Sequence, residues 1–134
     1  MTLKITELNH VALHISDVEA SIAFYRDGLG LKQLPRPEFD FEGAWFELPD
    51  GRQIHLIAGR SDPANSHNRG THFALHVEDF DAAVEHVKAK GLRHHPPKPR
   101  PDGALQIFLM DPDDHYIELC DNRPADPARR TRFP

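Results

Sequence analysis

The stretch His10-Val11-Ala12-Leu13-His14-Ile15-Ser16-Asp17-Val18 returns as His72-Phe73-Ala74-Leu75-His76-Val77-Glu78-Asp79-Phe80, at an offset of 62 residues. The shared pattern is histidine, apolar, alanine, leucine, histidine, apolar, any residue, aspartate, apolar. Downstream, Ile54-His55-Leu56-Ile57 is matched by Ile117-Glu118-Leu119-Cys120 at an offset of 63. Asp50 then falls on Asp113 inside two similar turns, Leu48-Pro49-Asp50-Gly51 and Asp111-Pro112-Asp113-Asp114. Matches in the same order mark a duplication, and a repeat of this kind governs the reading of the whole chain. The sequence is two copies of one module.

Each copy reads alike. Asn9 to Ile15 alternates, with Val11, Leu13 and Ile15 on one side and His10, Ala12 and His14 on the other, which predicts a strand. A helix is expected from Ser16, where Ser16-Asp17-Val18-Glu19 fits a capping box. Val18, Ile22, Tyr25 and Leu29 make its apolar stripe, and Gly28 and Gly30 offer the left-handed stop. In the second copy Asp79 caps, Phe80, Val84 and Val87 carry the stripe, and Gly91 ends it. Short β-like runs follow at Gly43 to Leu48, Gln53 to Ala58, Ala104 to Met110 and His115 to Cys120. Weaker ones lie around Leu31 to Leu34 and Leu92 to His95. The module is β-α-β-β-β, written twice.

These elements predict an α+β fold. Two tandem βαβββ modules would form a curved, barrel-like mixed sheet with the helices outside. Residues 1–134 are expected to make one domain: module 1 at about 7–58, a polar linker at about 59–70, module 2 at about 71–121 and a tail at 122–134. His94 to Pro101 is too rich in proline for a central strand and reads as an extended loop. The arginine- and proline-rich tail has no periodicity and is expected to wrap a surface or stay mobile.

Composition narrows the function. The 134 residues are 39% apolar and 28% charged, a globular balance. The net charge of −5 gives no basic face for nucleic acid. No apolar run approaches the ~18 residues of a membrane span, and no apolar signal-peptide core opens the chain. The single cysteine, Cys120, excludes an internal disulfide and points to a reducing cytoplasm. Ten histidines are many for this length, and histidine is the commonest metal ligand.

The duplication states where they should meet. His10 and His72 lie opposite the apolar row of their strands, as do His55 and Glu118 in the last strand of each module. A pseudo-twofold superposes His10 on His72 and His55 on Glu118, so four ligands face one another. A buried carboxylate needs a partner, and a divalent cation satisfies all four residues at once. One such ion per site is expected. Three nitrogens and an oxygen suit Zn, Ni, Co, Mn or Fe.

Asn9-His10-Val11-Ala12-Leu13, then Ser21-Ile22-Ala23-Phe24-Tyr25-Arg26-Asp27-Gly28-Leu29-Gly30-Leu31, resembles the opening of the vicinal oxygen chelate superfamily. Asp111-Pro112-Asp113 leading to Tyr116-Ile117-Glu118-Leu119 is similar to its closing motif. That superfamily includes glyoxalase I, methylmalonyl-CoA epimerase, fosfomycin- and bleomycin-resistance proteins and extradiol dioxygenases, and the pattern is nearest to glyoxalase I-like proteins. The resemblance places His10, His72 and Glu118 on the usual metal positions and His55 on the fourth, where bacterial glyoxalase I carries Glu and the epimerase and animal glyoxalase carry Gln.

The resemblance implies a metal-dependent lyase or isomerase. In it the cation chelates adjacent substrate oxygens and stabilises an enediolate, with Glu118, and His55 if it leaves the metal, as proton carriers. The rival readings are an Fe(II)-dependent dioxygenase, or a resistance or small-molecule binding protein of the fosfomycin or bleomycin type. The substrate is expected to be small, and an anionic or thiol-conjugated one would suit the loop arginines. Arg36, Arg52, Lys98 and Arg100 are the candidate anion holders. Trp45 and Phe108 are equivalent aromatics of the core or pocket wall, and Arg36, Trp45, Arg100 and Phe108 are the substrate-binding candidates. His14 and His76 share the parity of His10 and His72. Cys120 reads as a small buried hydrophobe. The modules of one chain pair with each other or with those of a second chain. The resemblance implies a homodimer, with His10 and His55 from one subunit and His72 and Glu118 from the other.

Overall fold

The computed structural model describes residues 2–121. The predicted tail, 122–134, lies outside them. The chain divides into two compact units between Asp62 and Pro63.

The first unit runs β1 (His10–Ile15), α1 (Val18–Ile22), a π-helical continuation (Ala23–Gly28), β2 (Lys32–Leu34), β3 (Gly43–Glu47) and β4 (Gln53–Ala58). The second runs β5 (Phe73–His76), α2 (Phe80–Ala89), β6 (Lys98–Pro99), β7 (Leu105–Met110) and β8 (Tyr116–Asp121). The sheet orders are β1-β4-β3-β2 and β5-β8-β7-β6, one topology used twice. In each, the first strand pairs parallel with the last, and the remaining pairs are antiparallel. The α+β class and the doubled βαβββ order therefore stand, with each module making its own four-stranded mixed sheet.

Burial follows the alternation of the sequence in the first unit, whereas β8 is buried on both faces from Ile117 to Asp121. Leu13, Ile15, Ala44, Phe46, Ile54 and Leu56 are buried in the first unit, against Phe24 and Tyr25 of its helix. Leu105, Ile107, Leu109, Ile117 and Leu119 are buried in the second, with Phe80, Val84 and Val87 of α2. This leaves His10, Ala12 and His14 on the other face of β1, in register with Gln53, His55 and Ile57 of β4.

Three local expectations are corrected. The N-cap of α1 is Asp17, not Ser16: Asp17 is extended (φ −125°), and its Oδ1 accepts from Ala20 N at 3.0 Å. Asp79 caps α2 in the same way, accepting from Ala82 N at 3.0 Å. The first helix also changes pitch. Leu29 N donates to Phe24 O five residues back at 2.8 Å, and this wider turn buries Phe24 beside Tyr25, which a 3.6-residue period leaves out of the stripe. Finally, the proline-rich stretch contains β6, whereas His94 makes only an isolated bridge to Leu109. An edge strand is hydrogen-bonded on one side only, so Pro99 is tolerated there despite lacking an N–H.

Candidate metal centre

Register builds the site before any side chain is considered. Ala12, His55 and Trp45 form one cross-strand row in the first unit, and Ala74, Glu118 and Phe108 form the matching row in the second. His10 comes from the row below His55, and His72 directly precedes β5.

In the first unit, His55 is sandwiched. Its ring stacks on His10 at 4.2 Å between centroids and on Trp45 at 4.1 Å with 5° between planes. His55 Nε2 lies 2.7 Å from Gln53 Oε1, and His10 Nδ1 lies 2.8 Å from Asn9 Oδ1. With the amide oxygens accepting, each imidazole donates from one nitrogen and keeps a lone pair on the other. That is how outer partners orient histidine ligands.

In the second unit, His72 Nδ1 lies 3.1 Å from Gly70 O. A carbonyl only accepts, so Nδ1 carries the proton and the neutral ring has its lone pair on Nε2. That Nε2 lies 3.4 Å from Oε1 of Glu118, whose side chain is 8% exposed. With the ring neutral, two acceptors face each other, and a cation or a proton between them satisfies both. Ligands about 2.1 Å from a tetrahedral ion lie about 3.4 Å apart, and His72 Nε2 and Glu118 Oε1 have that spacing. The donor set fits a borderline divalent metal. Phe108 stands edge-on to His72 at 5.2 Å between centroids, and Arg100 Nη1 approaches Glu118 Oε2 at 3.9 Å.

The structure thus brings His10 to His55 and His72 to Glu118, each pair within its own unit, with Trp45 and Phe108 beside the respective pairs. Among the described residues, no three His, Cys, Asp or Glu side chains form a metal-holding cluster. Of the loop cations, Arg100 is at Glu118, while Arg36 and Arg52 are spent locally. Arg36 lies over the Phe39 and Phe41 rings (4.9 and 5.2 Å) and donates to Phe41 O at 3.0 Å. Arg52 pairs with Asp50 at 2.7 Å and Glu7 at 3.0 Å. Lys98 lies in β6. His14 and His76 are exposed. Cys120 is buried, and burial first, then the Glu118 charge, raises its pKa, so it stays a thiol. Sequence reasoning missed Gln53, the partner of His55 Nε2. Gln53 was legible, two residues from His55 and therefore on the same face.

Burial, then the proximity of His10, lowers the pKa of His55. The folded protein therefore favours neutral His55, and the unfolded chain takes up a proton first as pH falls below about 6.5. The stability this histidine contributes is present above that pH and lost as pH falls through the folded value. The urea midpoint of metal-free protein is expected to drop between pH 7.5 and 5.5, and less steeply in His55→Gln. Parallel pH profiles would refute it.

Residues 7–119 match the family described as the Glyoxalase/Bleomycin resistance protein/Dioxygenase superfamily. The chain belongs to this superfamily. It is 28% identical over 125 residues to a lactoylglutathione lyase of Arabidopsis thaliana, covering 87% of this chain but only 44% of that relative. With a lactoylglutathione lyase of Haemophilus influenzae it shares 28% identity across 87% of this chain and 93% of the relative. A solved glyoxalase family protein from Bacillus anthracis superposes with a TM-score of 0.79 at 25% identity, over 92% of this chain and all of that one. Among the described residues, no helix is long and apolar enough to cross a membrane.

Proposed function

We propose that the protein is a metal-dependent lyase or isomerase of the glyoxalase I type, its divalent cation drawing ligands from the His10–His55 pair and the His72–Glu118 pair. The observation that carries this reading is the pair of facing acceptors, His72 Nε2 and Glu118 Oε1 at 3.4 Å. Lactoylglutathione lyase relatives at similar length support it. A bound cation would supply Lewis acidity to two neighbouring substrate oxygens.

The chain's own residues do the rest. Asn9, Gln53 and Gly70 hold the three imidazoles in ligating orientation. His55 keeps its Nε2 proton on Gln53 and offers Nδ1. Glu118 takes a proton from the carbon bearing the hydroxyl and the thioether sulfur of a hemithioacetal and returns it to the adjacent carbonyl carbon. The hydroxyl proton passes between the two oxygens, so the product is the hydroxy thioester with no net gain or loss of atoms. Trp45 and Phe108 wall the two pairs with apolar surface, which lowers local polarity and strengthens these charge interactions.

The test is metal analysis of purified protein, then assay of stripped and reloaded protein with the hemithioacetal of glutathione and a 2-oxoaldehyde, with catechols, and with fosfomycin. Metal-dependent thioester formation without oxygen uptake is expected. Oxygen consumption with catechols, ring opening of fosfomycin, or a protein that retains no divalent ion would overturn the reading.

A further inference from the structure

Glycine follows aspartate at three places, Asp27-Gly28, Asp50-Gly51 and Asp102-Gly103. That dipeptide carries a chemical hazard. With no β-carbon to shield it, the glycine nitrogen can reach the Cγ of the preceding aspartate. The N–Cγ bond forms, and the glycine N–H hydrogen leaves with the carboxyl OH as water, giving a five-membered imide. Water then reopens the ring at either carbonyl, and one of the two openings routes the backbone through Cβ and Cγ as isoaspartate. Atoms balance without an oxidant or a co-reactant. The step needs a protonated carboxyl, whose OH can leave, and a side chain free to turn over its own backbone.

All three carboxyls are open to water, the side chains of Asp27, Asp50 and Asp102 being 58%, 50% and 60% exposed. Each is nevertheless gripped at both oxygens by an arginine no more than two residues away. Arg26 donates from Nε to Asp27 Oδ1 at 2.9 Å and from Nη2 to Oδ2 at 3.2 Å. Arg52 donates from Nη1 to Asp50 Oδ2 at 2.7 Å and from its backbone N to Oδ1 at 2.9 Å. Arg100 donates from Nε to Asp102 Oδ1 at 3.1 Å and from Nη2 to Oδ2 at 2.6 Å. The arginine precedes the aspartate at two sites and follows it at the third, yet the outcome is the same. A two-point hold favours the charged carboxylate and fixes its torsion. The Arg52 N–H, then its guanidinium, holds the Asp50 carboxyl below its ordinary value, and Arg100, then the Ala104 N–H, holds that of Asp102 at about 2.

We propose that Asp27, Asp50 and Asp102 are latent isomerisation sites, and that Arg26, Arg52 and Arg100 are clamps that keep each carboxylate from the glycine nitrogen beside it. Two of the sites lie where an extra backbone atom does most harm. Asp50 sits in the turn from β3 to β4, and Asp102 in the turn from β6 to β7. Those turns are closed by Leu48 N donating to Arg52 O at 2.8 Å and Arg100 N donating to Ala104 O at 2.7 Å. Isomerised Asp50 strains the register that sets His55 against Trp45, and isomerised Asp102 the register that holds β6 on β7.

The experiment is ageing of the full chain for weeks in mildly acidic buffer, with isoaspartate at each site read by peptide mass spectrometry. Synthetic peptides spanning each Asp–Gly give the unclamped rate. Native protein is expected to fall well below the peptides at all three sites. Arg26→Gln, Arg52→Gln and Arg100→Gln are each expected to raise isoaspartate about fivefold at the aspartate that the arginine grips, and nowhere else, an increase in keeping with an exposed ion pair. The corresponding Arg→Lys replacements, which keep the charge but offer one point of contact, should fall between. A variant that loosens the whole fold raises all three sites together, so a rise at every site would overturn the proposal. Variants that age like native protein, or native protein that ages like the peptides, would overturn it as well.

Discussion

Replacing Glu118 by Gln is expected to lower metal-dependent turnover of a glyoxalase-type substrate by about a thousandfold while leaving the fold intact. The size follows from the role: removing a positioned general base costs about 10²–10⁴-fold. The amide cannot accept the substrate proton, and it presents to the cation a dipole where the native protein presents a charge. Metal content after dialysis should therefore fall together with kcat. Folding should suffer less. Glu118 keeps its volume in the variant, Arg100 retains Asp102 at 2.6 Å, and His72 retains Gly70 O at 3.1 Å. A thermal midpoint within a few degrees of the native one separates loss of chemistry from loss of structure. Turnover within threefold of the native protein, with metal retained, would remove Glu118 from the mechanism.

The second large effect is structural. Asp111→Ala is expected to destabilise the protein by about 3–5 kcal/mol, the cost of leaving three buried donors without the acceptor they share. The Asp111 side chain is fully buried. Its Oδ1 accepts from Asp113 N at 2.9 Å and His115 N at 2.8 Å, and its Oδ2 lies 2.9 Å from His115 Nδ1. Alanine leaves two N–H groups and an imidazole without this acceptor at the entrance to β8. For a chain of this size the thermal midpoint should fall by roughly 10 °C or more. Asp111→Asn, which keeps an acceptor for the backbone N–H groups, should lose about half as much. A loss below about 1 kcal/mol in urea would show that the turn before β8 holds without this carboxylate.

That turn also illustrates how repeats carry information unevenly. Leu48-Pro49-Asp50-Gly51 and Asp111-Pro112-Asp113-Asp114 share a backbone path, with Leu48 N donating to Arg52 O at 2.8 Å and Asp111 N to His115 O at 3.0 Å. The left-handed residue is Gly51 (φ 90°) in one and Asp114 (φ 65°) in the other. The backbone demand is the same, and only glycine meets it without steric cost. The repeat makes the path visible, but not the burial of Asp111, because its aligned partner Leu48 is apolar. The capping of α1 is the converse case. The local capping-box pattern pointed to Ser16, but the cap is Asp17, the residue that the repeat aligns with the Asp79 cap of α2. Geometry followed the repeat, since the extended backbone at Asp17 sets its carboxylate against the third amide of the helix.

By itself the sequence determined the doubled module, the strand faces, and the placing of His10, His55, His72 and Glu118 opposite the buried rows. Alternation along a strand is covalent geometry, so residues two apart share a face wherever the strand lies. Only tertiary structure decided which nitrogen each histidine keeps free, because Gln53 and Gly70 act through distances and directions that no spacing encodes. Likewise it alone separated Arg36, folded onto its own aromatic rings, from Arg100 at Glu118. Both arginines sit in a Pro-Arg-Pro motif, and a long flexible side chain takes its direction from the groups packed around it.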